Sequence, residues 1–183
     1  MKKFSALLVL LLAGICVSAQ TISFGKKGLL INDMHISEKW QLSEFISALG
    51  KPERSTSSGY DKIHIYDKGI VLFSINNNNP GESVTELRVY FNLPLAEDRI
   101  NVQKTFSGKA TFNKIKLSKS FTTDKMLKSL KGKDWVGGVG LGYVPNYYNY
   151  NYTTGLMKVF FQFNESDTEL IYFSFWRKQE LKK

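Results

Sequence analysis

The residues best suited to molecular recognition are the tyrosines of NYYNYNYTTG, residues 146–155. Tyrosine and asparagine alternate here, and successive side chains of a β-strand point to opposite faces. Three tyrosines therefore share one face of a predicted strand: Tyr148, Tyr150 and Tyr152. Tyrosine offers a large contact area with few rotatable bonds, so an exposed row would suit protein binding. The alternative is that this face packs in the core and the asparagines face water.

Catalytic and metal-binding motifs are not evident in the sequence. The two histidines, His35 and His64, lie in different predicted strands without an Asp, Glu or Cys at ligand spacing, so we expect structural or surface roles. We see no Ser-His-Asp set and no supported pair of acids, and we predict a non-enzymatic protein without a cofactor. Active sites assemble in three dimensions. A pocket converging on His64 with an acid partner would therefore favour the alternative of a small hydrolase.

A lysine-rich segment covers residues 101–133, which hold nine lysines and a single acid, Asp124. Such a field can steer an acidic partner or an anionic envelope surface towards the protein. The alternative is a solvated surface that aids solubility. The segment lacks arginine for bidentate phosphate contacts, so we do not expect nucleic acid as a partner. The candidate binding residues here are Lys114, Lys116 and Lys119.

The N-terminal residues 1–19 read as a secretory signal peptide. MKKF is the positive region, ALLVLLLAGICV is the apolar region, and we expect cleavage after Ala19. Ile15 directly before Cys16 disfavours a lipoprotein. The apolar run is shorter than the about 20 residues that span a bilayer, and no later segment is long enough. We therefore expect a secreted or periplasmic protein without a membrane span.

The mature chain, residues 20–183, is expected to carry a net charge of +7, from 23 basic and 16 acidic residues. It contains no cysteine, which removes disulfides, thiol nucleophiles and thiolate metal ligands. A secreted chain of this kind depends on its hydrophobic core for stability.

An internal repeat organises the mature chain. Residues 29–51 align without a gap on residues 110–132, at an offset of 81. Identical residues in this alignment are Asn32 and Asn113, Ser37 and Ser118, and Leu49 and Leu130. Two further pairs of segments follow in the same order: 66–73 with 152–161, and 85–91 with 168–175. The repeat predicts two units, residues 20–100 and 101–183.

Each unit reads as a β-hairpin around an Asn-containing dipeptide, then a short helix, then three strands. Gly50 ends the first helix. The strands are predicted at about 60–67, 69–76 and 84–92, and at about 147–153, 155–163 and 168–176. We therefore predict an α+β fold of two tandem helix-on-antiparallel-sheet units, produced by internal duplication.

Comparison of the two units gives a prediction for the tyrosine face. Ile63 and Ile65 stand where the second unit has asparagines, whereas His64 and Tyr66 stand where it has tyrosines. If the isoleucines form the core, then His64, Tyr66 and the tyrosine row lie on the outer, binding face. A register slip of one residue would bury that row instead.

The motifs LGKP at 49–52 and IYDKGI at 65–70, with FSGKATFNKIKLS at 106–118, resemble an uncharacterised family of bacterial secreted or envelope domains. The duplicated layout resembles the β-lactamase inhibitor protein fold and the related SmpA/OmlA envelope domain. This resemblance implies protein binding through the exposed face of a concave sheet. We therefore expect a secreted or periplasmic protein-binding module of the inhibitor, immunity or envelope-assembly type. The alternative is a binder of an anionic envelope surface or polysaccharide.

Overall fold

The computed structural model describes residues 19–25, 27–58, 61–75, 82–93, 100–129, 136–139, 148–154, 157–164, 166 and 168–177. For 136–139 and 148–154 the backbone alone is described. The described residues form mostly β-structure, in two sheets with two short helices. The predicted α+β fold of two helix-on-sheet units is therefore wrong. Helices of eight and seven residues cannot cover a sheet, and each sheet is covered by the other.

Thirteen strands and two helices occur in the described part of the chain. The strands are β1 Thr21–Gly25, β2 Gly28–Ile31, β3 Met34–Ile36, β4 Arg54–Ser58, β5 Asp61–Tyr66, β6 Ile70–Ile75, β7 Val84–Tyr90, β8 Lys109–Phe112, β9 Ile115–Leu117, β10 Val136–Val139, β11 Tyr148–Thr154, β12 Met157–Phe163 and β13 Leu170–Arg177. The helices are α1 Leu42–Leu49 and α2 Thr123–Ser129.

The smaller sheet has five strands in the order β3-β2-β1-β8-β9. Strands β1 and β8 are parallel, and the other pairs are antiparallel. The predicted hairpins β2–β3 and β8–β9 are confirmed. Their turns place Asn32 and Asp33 at φ 50° and 64°, and Asn113 and Lys114 at φ 48° and 70°. Two consecutive positive φ angles are what a tight two-residue hairpin turn requires, and asparagine tolerates them well.

The larger sheet has eight antiparallel strands in the order β10-β11-β12-β13-β7-β6-β5-β4. The two meanders meet at β7 and β13, where Val89 stands opposite Phe173. Each predicted unit therefore contributes strands to both sheets, and the two halves share one core. Strand β4, with the sequence RSTSS, was not predicted because all five of its residues are polar and exposed.

The main core lies between the two sheets and is rich in phenylalanine. The ring centroids of Phe24 and Phe175 are 4.9 Å apart, and Phe112 lies 5.7 Å from Phe173. Phe161 lies 4.7 Å from Phe173 on the neighbouring strand. Each buried aromatic ring removes about 150–250 Å² from water, so these contacts explain why the sheets pack on each other.

The helices complete this core at its margins. Helix α1 begins after Gln41, whose backbone N–H donates to Glu44 Oε2 at 3.0 Å, and it ends at Gly50, at φ 88°. Phe45 of α1 is fully buried. Met126 is the corresponding buried residue of α2.

The large sheet also buries part of its other side. We call the side facing the small sheet the inner face, and the opposite side the outer face. Ile100 and Val102, from the connection between the two halves, belong to a cluster on the outer face. That cluster also contains Ile63, Ile65 and Tyr90. The predicted burial of Ile63 and Ile65 is therefore confirmed, although they pack under the connection and not between the sheets.

Candidate functional site

The candidate site is a cleft of about 300 Å³ on the outer face of the large sheet, built by strands β5, β6, β7 and β13. We call it the outer cleft. It is lined by Asp61, Phe73, Ile75, Thr85, Glu86, Trp176 and Arg177. Phe73 also packs against the cluster that contains Ile100 and Val102, so the cleft lies beside the covered part of this face.

A buried ion pair supports the outer cleft. Arg88 Nε donates to Glu86 Oε1 at 2.9 Å, and Arg88 Nη2 donates to Glu86 Oε2 at 3.1 Å. Arg88 Nη1 also donates to the Tyr90 hydroxyl at 3.1 Å. Burying these two charges carries a desolvation cost, and the bidentate hydrogen bonding between Arg88 and Glu86 offsets much of that cost. Burial alone would lower the pKa of Arg88, but the Glu86 carboxylate raises it well above its ordinary value, so the guanidinium remains charged.

Two aromatic rings enclose the Arg88 guanidinium. Its central carbon lies 4.7 Å from the centroid of Phe73 and 4.5 Å from that of Tyr172. Cation–π contacts of this kind are favourable, more so when the cation is shielded from water. The sandwich fixes the position of Phe73, which is a wall of the outer cleft. This wall of the outer cleft therefore rests on a buried and ordered support.

Trp176 forms the exposed aromatic wall of the outer cleft. Its side chain is 46 % exposed, and its Nε1 donates to Ser174 Oγ at 2.9 Å. Ser174 is fully buried, so this bond anchors the indole. An exposed tryptophan with its N–H already satisfied presents a preformed apolar surface. Trp176 was not predicted as a site residue, although its alternation with Ser174 along the strand was a usable signal for the less apolar face.

The charged residues of the outer cleft differ in their partners. Asp61 is exposed and stands opposite Ile75 in the sheet. Within the described part of the chain no ion pair involves Asp61. Arg177, by contrast, uses its Nη1 to donate to the backbone carbonyl of Lys39. Among the described residues, Asp61 thus has no ion-pair partner, whereas one N–H group of Arg177 is engaged by a backbone carbonyl.

His64 lies on the inner face, away from the outer cleft, in a buried polar network. Its Nδ1 is 3.2 Å from Ser55 Oγ, and its Nε2 is 2.9 Å from Ser74 Oγ and 3.1 Å from Glu82 Oε1. Glu82 was not predicted as the acid partner of His64 because it is 18 residues away along the chain. A serine, a histidine and an acid thus meet. The His64 ring, however, is only 3 % exposed and both nitrogens are already engaged, which leaves a substrate no approach to it.

Glu82 ties this network together. Besides His64 it accepts a short hydrogen bond from Ser74 Oγ, and Lys62 Nζ lies 3.5 Å from Glu82 Oε2. Burial would raise the pKa of Glu82, but the hydrogen bonds from Ser74 and His64 and the charge of Lys62 lower it overall. The carboxylate is therefore charged at neutral pH. The network joins β4, β5 and β6 to the residues that lead into β7.

Tyr66 is also buried, at 2 % exposure, so the expectation that His64 and Tyr66 face solvent is wrong. Both side chains point into the inner side because the outer side of β5 is occupied by isoleucines under the connection. The Tyr66 hydroxyl donates to the Gly50 carbonyl at 3.0 Å. Burial, together with the charge of Glu53, raises the pKa of Tyr66 to about 12.

The tyrosine row lies on strand β11, whose side chains are outside the described residues. The backbone register pairs Tyr148 with Phe163, Tyr150 with Phe161, and Tyr152 with Val159. These three partners are fully buried in the main core. The binding role of the tyrosines stays a prediction.

The candidate lysines lie at the β8–β9 hairpin and just after it, and are not part of the outer cleft. Lys114, Lys116 and Lys119 are all exposed. Lys119 Nζ lies 3.4 Å from Glu169 Oε1, with 55 % and 39 % of the two side chains exposed. Such an exposed pair is weak, so the lysine remains open to other anions.

Comparison with known proteins assigns the chain to a family. Residues 21–127 match the family described as Domain of unknown function (DUF7738), which is more than half of the chain. The chain therefore belongs to this family. No curated protein sequence matches the chain. The resemblance to the β-lactamase inhibitor protein and SmpA/OmlA folds stays a prediction.

One solved structure is similar in part: an extracellular protein containing a SCP domain from Bacillus anthracis str. Ames. The two chains are 10 % identical, with a TM-score of 0.47, over 84 % of this chain and 49 % of that one. The present chain thus spans about half the length of that protein. Among the described residues, no helix is long and apolar enough to cross a membrane.

Proposed function

We propose that this chain is a secreted or periplasmic, non-enzymatic protein-binding module, and that the outer cleft with Trp176 is its recognition surface. Secretion is supported by the signal-peptide pattern of residues 1–19. The observation that carries the binding role is the exposed Trp176, anchored through Ser174 on a sheet face that Arg88 makes rigid.

The Trp176 wall of the outer cleft is already ordered before a partner binds. Binding costs free energy when side chains must be ordered, and a wall that is already fixed avoids much of that cost. Tryptophan, tyrosine and arginine dominate the energetics of protein interfaces. The cleft volume of about 300 Å³ is at the small end of the range for ligand pockets. It therefore suits one anchoring side chain of a protein partner better than a large free ligand.

The polar network of His64 supports the non-enzymatic part of the proposal. A general base must come within hydrogen-bond reach of its substrate. His64 is buried and already bonded to Ser55, Ser74 and Glu82. We assign this network a structural role, which is to hold the β4 edge of the large sheet.

The experiment is a crosslinking capture from the envelope extract of the producing organism, with the mature chain as bait. The test variant is Trp176→Ser, and the matched control is Leu127→Ser. Leu127 lies on helix α2, and its side chain is 44 % exposed, close to the 46 % of Trp176. We expect a protein that the native chain and the control capture and the test variant loses. Equal capture by all three chains would refute the outer cleft as the recognition surface.

The identity of the captured protein would also distinguish between the proposed types of binding module. A hydrolase or toxin would support the inhibitor or immunity type, and an outer-membrane assembly component would support the envelope-assembly type. A variant with Tyr148, Tyr150 and Tyr152 changed to serine tests the second predicted face. If it unfolds, those tyrosines belong to the core.

A second candidate function is binding to an anionic envelope surface or polysaccharide. The exposed positions of Lys114, Lys116 and Lys119 around one hairpin favour it. The test is binding of the mature chain to an acidic polysaccharide at increasing ionic strength, because salt screens exposed charges. Binding that weakens steeply as the salt concentration rises would support this function, provided that this salt-dependent binding is lost when the three lysines are changed to glutamine. Salt-independent or absent binding would refute it.

A further inference from the structure

We propose that the outer cleft takes a cationic side chain, a lysine or arginine that the protein partner presents. This inference rests on the proposed function, because it names the chemistry of the residue that would fill the same cleft. It is drawn from a cleft of about 300 Å³ whose lining combines three apolar side chains with the carboxylate of Asp61, the Arg88-paired carboxylate of Glu86, the hydroxyl of Thr85 and the guanidinium of Arg177.

The apolar part of the cleft fits the stem of such a side chain. Phe73, Ile75 and Trp176 line it, and Phe73 and Ile75 are only partly buried. Lysine and arginine lay their methylene stems along apolar surfaces while the charged end reaches a polar environment. The strand order β5-β6-β7-β13 spans three strand spacings, or about 14 Å. The cleft is therefore long enough for an extended side chain.

The distribution of charge along the outer cleft is complementary to the positively charged end of a lysine or arginine side chain. Asp61 is exposed at one end, and no other described residue forms an ion pair with it. Glu86 is also part of the lining, although Arg88 already binds both of its oxygens. Arg177 donates to the Lys39 carbonyl, and Lys158 is exposed on the far side of Trp176 in the sheet register. The positive charges thus lie at the Trp176 end, and the free carboxylate lies at the other.

Other occupants fit this distribution less well. A carboxylate side chain would meet Asp61 as a like charge. The charge of Glu86 is already balanced by Arg88. An aliphatic side chain of the same length would use the apolar walls but leave Asp61 without a partner. A lysine or arginine can lay its stem along the apolar walls and place its charged head group at the Asp61 carboxylate.

The test compares two small probes that differ only at the end of the side chain. These are Nα-acetyl-lysine N-methylamide and Nα-acetyl-norleucine N-methylamide, titrated into the mature chain. The readout is the NMR shift of the Trp176 indole N–H, assigned with a Trp176→Phe variant. We expect the lysine probe to bind about three- to tenfold more tightly than the norleucine probe.

A pair of variants ties this preference to Asp61. Asp61→Asn should reduce the affinity for the lysine probe to that of norleucine. Asp124→Asn, which removes an exposed acid on helix α2, should leave the preference unchanged. Equal binding of the two probes to the native chain, no binding of the lysine probe, or an unchanged preference in Asp61→Asn would overturn the inference.

The failure of this inference is distinguishable from failure of the proposed function. If capture of a protein depends on Trp176 but the lysine probe has no advantage, the cleft binds a partner through another side chain. If capture is independent of Trp176, the proposed function fails as well.

Discussion

Among the described residues, the large sheet carries a buried polar network on each face, and the two networks differ in what lies next to them. On the inner face, His64, Ser74 and Glu82 link the edge strands beside the aromatic core. On the outer face, Glu86 and Arg88 lie beneath an exposed tryptophan. None of the three residues of the inner network lines the outer cleft, whereas Glu86 of the outer network does. We therefore expect a buried polar network to support a binding surface only where an accessible wall stands next to it.

The largest expected difference in stability is between loss of an aromatic residue on the inner face and loss of one on the outer face. Phe173→Ala should lower the free energy of unfolding by about 3–5 kcal/mol, because it leaves a cavity among rings with no solvent contact. Trp176→Ala on the same strand should change it by about 1 kcal/mol or less, since the indole is half exposed. Urea denaturation of both variants measures the difference. Similar losses would show that the outer face is as much a core as the inner one.

The buried ion pair gives the next effect. Glu86→Gln should cost about 3 kcal/mol of unfolding free energy, because it leaves the charge of Arg88 buried without its carboxylate. The double variant Glu86→Leu with Arg88→Met should recover most of that loss, since an apolar pair needs no compensation. Thermal or urea unfolding distinguishes the two. A double variant no more stable than the single one would contradict the role assigned to the pair.

The inner network predicts a dependence on pH. The pKa of Glu82 in the folded state lies below its ordinary value. The stability that the charged carboxylate adds is therefore fully present above the unfolded-state pKa of about 4.3, and it is lost as the pH falls through the folded-state pKa. At neutral pH, Glu82→Gln should be less stable than the native chain by about 1 kcal/mol. The difference should shrink below about pH 4. A gap that stays constant across this range would show that the charge of Glu82 does not matter.

The smallest effect is expected at the exposed pair of Lys119 and Glu169. Lys119→Gln should change the free energy of unfolding by less than about 0.5 kcal/mol, because solvent screens the pair. Urea denaturation at low and high salt provides the measurement. A larger or salt-independent loss would mean that this pair helps to hold the hairpin end of the small sheet on the large one.

Local features of the fold were predictable from the sequence. The Asn32–Asp33 turn, helix α1 and strands such as Ile70–Ile75 follow from turn chemistry and apolar periodicity. The pairing of β1 with β8 and of β7 with β13 joins residues distant in sequence, and no local pattern encodes it. The overall fold was therefore assigned wrongly, although most elements were placed within a few residues.

The candidate site was less predictable, for the same physical reason. His64 gains its acid partner across 18 residues, and the outer cleft takes residues from four strands. The buried strand Asp61–Tyr66 has side chains buried on both faces, so alternation alone could not show which face meets solvent. Trp176 was visible in the sequence, but no local pattern shows that it lies outside the cluster to which Ile100 and Val102 belong.

The most direct measurement is the dissociation constant of the captured partner for three chains: native, Trp176→Ser and Leu127→Ser. A tryptophan at the centre of an interface commonly accounts for 2 kcal/mol or more, so we predict a loss of affinity of about 30-fold or greater for Trp176→Ser. The Leu127→Ser chain should bind within about twofold of the native chain. Equal affinities of the native and Trp176→Ser chains would contradict the outer cleft as the recognition surface.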